Sequence, residues 1–125
     1  MCSSDPTVED YIKLGFYRKY AEYFASGRRT ITDVLANDDF SLTLTFDNGE
    51  VRLFDMKSTL LPGTVFEPFM QWDNFKRVYL DEDHCVSWNI DPDIDSRVNW
   101  NNKVDISPDS CYVESVPLNE KRNMA

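Results

Sequence analysis

Histidine is almost missing: His84 is the only one among 125 residues. A single imidazole rules out zinc sites built on several histidines and leaves any Ser–His–Asp arrangement with one candidate base. Glycine is scarce as well. Gly15, Gly27, Gly49 and Gly63 lie far apart and never form the glycine-rich run that cradles a phosphate. The cysteines, Cys2, Cys85 and Cys111, are odd in number and match no zinc spacing. No stretch approaches the roughly 20 apolar residues that span a bilayer, so no membrane partner is expected. The start, Met1-Cys2-Ser3-Ser4, has neither the basic cluster nor the apolar run of a secretory leader. The expectation is a cytoplasmic protein with reduced thiols, no bound metal and no cofactor.

Positive charge is also in short supply. Thirteen Lys and Arg face 22 Asp and Glu, for a net charge of −9. Residues 1–30 hold five basic against four acidic residues, a balance of +1; residues 31–125 hold eight against eighteen, a balance of −10. Such a surface repels phosphate backbones, so no direct nucleic-acid binding is expected, and a basic protein partner suits it. The same charge keeps a small protein soluble. What the chain does have is a hydrophobic share of 42% and an aromatic share of 14%, which argues against global disorder. Its length suits one domain with a substantial core.

Asp5-Pro6 reads as a helix start, with Asp5 as cap and Pro6 in the first turn. Val8, Tyr11, Ile12, Phe16, Tyr20, Tyr23 and Phe24 then recur with helical spacing, and Gly27 ends the run. This predicts one amphipathic helix from about Pro6 to Ser26, about 31 Å long. Gly15 falls inside it, where it costs about 1 kcal/mol against alanine and lets another backbone approach. From Thr30 the period becomes two. Ile31–Leu35 reads as a strand, and Asn37-Asp38-Asp39 as a turn. Ser41–Phe46 alternates strictly, with Leu42, Leu44 and Phe46 on one face. Asp47-Asn48-Gly49 predicts a hairpin with a type I′ turn, returning along Glu50–Asp55. Residues 57–74 are irregular, with Phe66, Phe69 and Trp72 covering one face of the sheet. Phe75–Leu80 and His84–Asn89 read as strands joined by Asp81-Glu82-Asp83, and residues 90–103 as a polar loop. Ser107-Pro108-Asp109 predicts a capped helical turn carrying Cys111 and Tyr112.

Four constellations bear on function. Asp91, Asp93 and Asp95 stand at positions one, three and five of a calcium loop, but Ser96 and Asn102 occupy the places of its glycine and its closing glutamate. That disfavours calcium. His84-Cys85 resembles a base and nucleophile, yet neighbours on a strand point to opposite faces. Trp88 belongs to the core by its alternation with Val86, whereas Trp100, among Asn99, Asn101 and Asn102, is expected to be exposed and to anchor a partner. The first helix presents Tyr11, Ile12, Phe16, Tyr20 and Tyr23, either to its own sheet or to a partner or second copy.

The run Leu42-Thr43-Leu44-Thr45-Phe46-Asp47-Asn48-Gly49-Glu50-Val51-Arg52-Leu53-Phe54-Asp55 resembles the start of the domain-of-unknown-function 2442 family of small bacterial and phage-borne proteins. Phe75-Lys76-Arg77-Val78, the segment with Val86 and Trp88, and Val104-Asp105-Ile106-Ser107-Pro108-Asp109-Ser110-Cys111-Tyr112 fit the same pattern. The resemblance covers roughly residues 31–116. It implies a small α+β domain with a strand-rich sheet and brings no established activity. Members look like neighbours of a second small protein, as in toxin–antitoxin pairs, and some look fused to DNA-binding helix-turn-helix domains.

The expected fold is α+β: a small, mostly antiparallel sheet with an N-terminal amphipathic helix and a short C-terminal helical turn. Its expected parts are an extension at 1–29, a domain at 30–118 and a flexible tail at 119–125. The expected function is a small, acidic, non-enzymatic protein-binding module, antitoxin-like or regulatory, with no catalytic residues. Beside it stand an acidic mimic of nucleic acid that inhibits a nucleic-acid-binding enzyme, and a small enzyme with a carboxylate base among Asp91, Asp93, Asp95, Asp105 and Asp109.

Overall fold

A computed structural model describes residues 7–118. Asp5, Pro6 and the expected tail at 119–125 lie outside the described residues. The first helix, α1 (Val8–Lys13), is capped by Thr7. The Thr7 hydroxyl accepts from the Asp10 amide at 3.2 Å, and the Asp10 carboxylate accepts from the Thr7 amide at 2.9 Å. This reciprocal pair satisfies two otherwise free donors. A second helix, α2, runs from Arg18 to Ser26. The single helix expected from Pro6 to Ser26 is therefore two. The break is Gly15, whose φ of +103° lies where side-chain-bearing residues rarely go. It admits no close backbone neighbour, since a Cβ there would meet nothing within 4 Å. The aromatic period survives the break because Phe24 packs against Tyr11 at 5.4 Å and Phe16 at 5.1 Å, folding the two helices onto each other.

Among the described residues seven strands follow: β1 (Ile31–Ala36), β2 (Ser41–Phe46), β3 (Val51–Asp55), β4 (Tyr79–Leu80), β5 (Val86–Asn89), β6 (Lys103–Ile106) and β7 (Val116–Pro117). The α+β class holds, but the strands form two antiparallel sheets instead of one, in the orders β1-β2-β3-β7 and β4-β5-β6. One cluster of buried side chains joins them. Leu42, Leu44 and Phe46 come from β2, and Val86, Trp88 and Val104 from the second sheet. Phe69 and Phe75, from the segment between the sheets, fill the space around Trp88. The strand expected over Phe75–Leu80 shrinks to Tyr79–Leu80, because Trp72–Phe75 winds into a helical turn, α3, that delivers Phe75 to the core. The register of β1 against β2 shifts between Ile31 and Asp33, and β7 pairs with β3 through Leu53 and Arg52, the latter opposite Pro117.

Three hairpins share one turn. In each, the first residue's carbonyl accepts from the fourth residue's amide, and its amide donates to the fifth residue's carbonyl. The sets begin at Asn37, Phe46 and Asp81. The fourth residue takes positive φ each time: Phe40 at 64°, Gly49 at 87°, His84 at 63°. This is a three-residue hairpin with a bulge. It corrects the type I′ expectation at Asn48-Gly49, since only Gly49 adopts positive φ there. It also removes His84 from the strand on which it was expected. As expected, Ser107 caps α4 (Pro108–Val113), its hydroxyl accepting from the Ser110 amide at 3.2 Å, and Cys111 is buried.

Candidate functional site

Residues 90–102 return from β5 to β6 as a loop, and Asn102 holds that loop in shape. The Ile90 amide donates to the Asn102 carbonyl at 2.7 Å. The Asn102 side-chain oxygen accepts from the Asp91 amide at 2.9 Å. Its amide nitrogen reaches the Asp91 carbonyl at 3.0 Å, the Ile94 carbonyl at 3.1 Å and the Ser96 hydroxyl at 3.1 Å. Two carboxylates of the calcium-like run, those of Asp91 and Asp95, serve turns, and among the described residues the run does not converge on one point. Asp91 accepts from the Asp93 amide at 3.0 Å, and Asp95 from the Arg97 amide at 2.9 Å.

With its backbone fixed in this way, the loop turns apolar side chains outward. Val98 and Trp100 are each 82% exposed, and Ile90 and Ile94 are partly exposed. Behind the loop lies a cleft of about 530 Å³, bounded by Tyr79, Leu80, Asn89, Pro92, Ile94 and Lys103 among others. Asn89 anchors its wall, accepting from the Tyr79 hydroxyl at 2.7 Å and the Ser96 hydroxyl at 2.6 Å.

At the cleft floor Asp81 is nearly buried and 2.6 Å from the Lys103 ammonium. It also accepts from the amides of Asp83 and Cys85, both at 2.9 Å. Burial acts to raise the Asp81 carboxyl, but the Lys103 bond and the two amides outweigh it and hold the group below its ordinary value. A depressed carboxyl contributes stability that is complete above about pH 3.9, its unfolded value, and is lost as pH falls through the lower folded value. The gap in urea midpoint between the native protein and Asp81→Asn is therefore expected to be constant above about pH 4 and to shrink below it. A gap that widened on acidification would contradict this assignment.

Asp81, Cys85 and Asp105 bring one ligand atom each within 4.8 Å of one another. The set fits a metal poorly. Lys103 already supplies the cation, 2.6 Å from Asp81 and 3.9 Å from Asp105. Burial, with Asp81, Asp105 and Asp83 nearby, pushes the Cys85 thiol up to about 11, so without a metal it rests as the neutral thiol. The His84 ring is engaged elsewhere, its Nδ1 lying 3.1 Å from the Ile31 carbonyl. The Asp95 carboxyl is held low, mainly by its hydrogen bond to the Arg97 side chain. Asp81 and Asp95 are thus shifted away from the near-neutral values that suit a general acid or base.

The aromatic stripe of the N-terminal segment divides into two surfaces. Tyr11 and Phe16 pack on Phe24 between the helices, with Ile12 half-buried on α1 and Phe16 partly open to solvent. Tyr20 and Tyr23 turn onto α4, where their hydroxyls reach Glu114 and Asp109. Trp100 stands apart from both, on the 90–102 loop. Its exposure is legible in the sequence, whereas that of Val98 is less plain. A usable signal existed: Ile90, Ile94 and Val98 place an apolar residue at every fourth position of a loop that is otherwise polar apart from Pro92 and Trp100.

The family model described as "Protein of unknown function (DUF2442)" matches residues 31–117. The chain belongs to the DUF2442 family. No curated protein and no solved structure matches it. The match begins at the first residue of β1 and ends in β7, so α1 and α2 are additions in front of the DUF2442 domain, while the loop carrying Trp100 lies inside it. Among the described residues no helix is long and apolar enough to cross a membrane.

Proposed function

We propose that this DUF2442 protein is a small non-enzymatic binding module that grips a protein partner through its 90–102 loop. The observation that carries the reading is the pairing of exposure with rigidity. Trp100 and Val98 stand 82% exposed on a loop whose backbone is stapled by Asn102. A large aromatic presented on a pre-organised backbone loses little conformational freedom on binding, which is how interface anchors gain their energy. The acidic balance of the domain favours a basic partner. The antitoxin-like form of the proposal rests on the family resemblance alone.

The test is capture from a lysate of source cells at low and high salt, with native protein beside Trp100→Ala and Val98→Ser. A partner held by native protein should be lost from Trp100→Ala by about 30-fold or more in affinity, the scale of an interface anchor. Recovery of the same partner by both variants at native levels would sink the proposal. A partner released by salt and competed by DNA would favour the acidic mimic of nucleic acid instead.

A further inference from the structure

The N-terminal helices lie outside the family match, yet α2 is seated on the domain the family defines. Tyr23 is 4% exposed, with its ring 5.3 Å from that of Tyr112. Its hydroxyl donates to Asp109 at 2.5 Å and accepts from the Arg29 amide at 2.8 Å. The Arg28 guanidinium grips both oxygens of the same Asp109, at 3.2 and 2.6 Å. One turn on, Glu114 accepts from the Lys19 ammonium and the Tyr20 hydroxyl, both at 2.9 Å. Each carboxylate of the α4 face thus receives one cation and one tyrosine. Tyr112, between them, is fixed from beneath by the Arg52 guanidinium, 4.3 Å from its ring, and Arg52 is itself bonded to Ser115.

We propose that this face of α4, made by Asp109, Tyr112 and Glu114, is a docking surface for a basic, tyrosine-bearing helix of a partner protein, and that α2 covers it as an internal competitor. The occupant's chemistry is visible in the segment now seated there, and it matches the charge division of the chain, +1 over residues 1–30 and −10 beyond. The seat is built to be vacated. Within α1 and α2 only Ala21 and Tyr23 are buried. The cations of both ion pairs, Lys19 and Arg28, are 55% and 70% exposed, so salt and an incoming cation can reach them from solvent. The two helices carry their own aromatic cluster of Tyr11, Phe16 and Phe24, so they can leave as a unit. The surface is separate from the Trp100 loop and does not depend on its role.

The experiment titrates a fluorescein-labelled peptide of residues 17–29 into the full chain and follows anisotropy. Tyr23→Ala/Arg28→Ala, which empties the seat, should bind the peptide at least tenfold more tightly than native protein. Adding Asp109→Asn and Glu114→Gln should abolish that gain. Circular dichroism verifies folding of each variant. If loss of Tyr23 compromises the fold, the charge reversal Lys19→Glu/Arg28→Glu empties the same seat through exposed residues only. A folded, emptied variant that ignores the peptide, or binds it equally without the two carboxylates, would overturn the proposal. So would sedimentation showing that native chains exchange α2 with one another, which would assign the face to a second copy.

Discussion

Trp88→Ala is expected to lower the unfolding free energy by about 3–5 kcal/mol. Trp88 has no exposed surface and touches both the sheet-forming and the irregular parts of the core. Its ring lies 6.2 Å from Phe66, 5.4 Å from Phe69 and 5.8 Å from Phe75. Its indole nitrogen donates to the Phe75 carbonyl at 2.9 Å, which ties α3 to β5. Truncation opens a cavity among three phenylalanines and leaves that carbonyl with only the longer bond from the Val78 amide, at 3.3 Å. Both effects act in the same direction. Domains of this size have only about 5–15 kcal/mol to lose, so the variant should be close to unfolding at physiological temperature. Trp88→Phe keeps most of the ring contacts and gives up the hydrogen bond, and should cost clearly less. Urea titration read by circular dichroism measures both. A Trp88→Ala midpoint within error of the native one would contradict the packing described above.

The second large effect concerns Asn102. Its side chain is nearly buried and answers backbone groups of Asp91 and Ile94 together with the Ser96 hydroxyl. Asn102→Ala leaves these groups unpaired, at about 1–3 kcal/mol for each one that water does not reach. Asn102→Asp is the sharper change. It is nearly isosteric, but it replaces a donor with a carboxylate facing the Asp91 and Ile94 carbonyls. The loss should be local as well as global. In hydrogen exchange, the Ile90, Ile94 and Val98 amides donate within the loop and should lose protection first, while the β2–β3 ladder keeps its own. Uniform loss across both regions would mean that Asn102 supports the core instead of the loop. The variant also separates fold from binding, since a loosened loop should weaken partner capture even with Trp100 in place.

What could be read from the chain followed from how local each determinant is. The β2–β3 hairpin was legible because alternation in Leu42, Leu44 and Phe46 and the Asn48-Gly49 turn are complete within about fifteen residues. Ser107 and Pro108 announced α4 for the same reason. The N-terminal break was hidden because Tyr11, Phe16 and Phe24 keep a helical period across Gly15, although the contact that preserves it lies between two helices. Phe40 and His84 were unreadable as turn residues, since neither type favours positive φ as glycine does and the hydrogen-bond pattern of the turn must override it. Asn102 looked like Asn99 and Asn101. Only the return of the chain past Asp91 and Ile94 sets it apart. The Trp100 half of the candidate surface was therefore visible from composition, while its scaffold was not. The partners of Tyr20 and Tyr23, 94 and 86 residues away in sequence, left no local trace.

The margins of the four-stranded sheet are poorly suited to pairing with another sheet. On one side the sheet closes with Val116 and Pro117, two residues long, and the proline has no amide proton to offer an incoming strand. On the other side β1 is kinked by its register shift at Ile31–Asp33 and sets an exposed Asp33 at the kink. Short length, proline, irregular pairing and a charge are the features that stop one sheet from templating another. The ladder of this sheet therefore offers a poor template for growth from molecule to molecule.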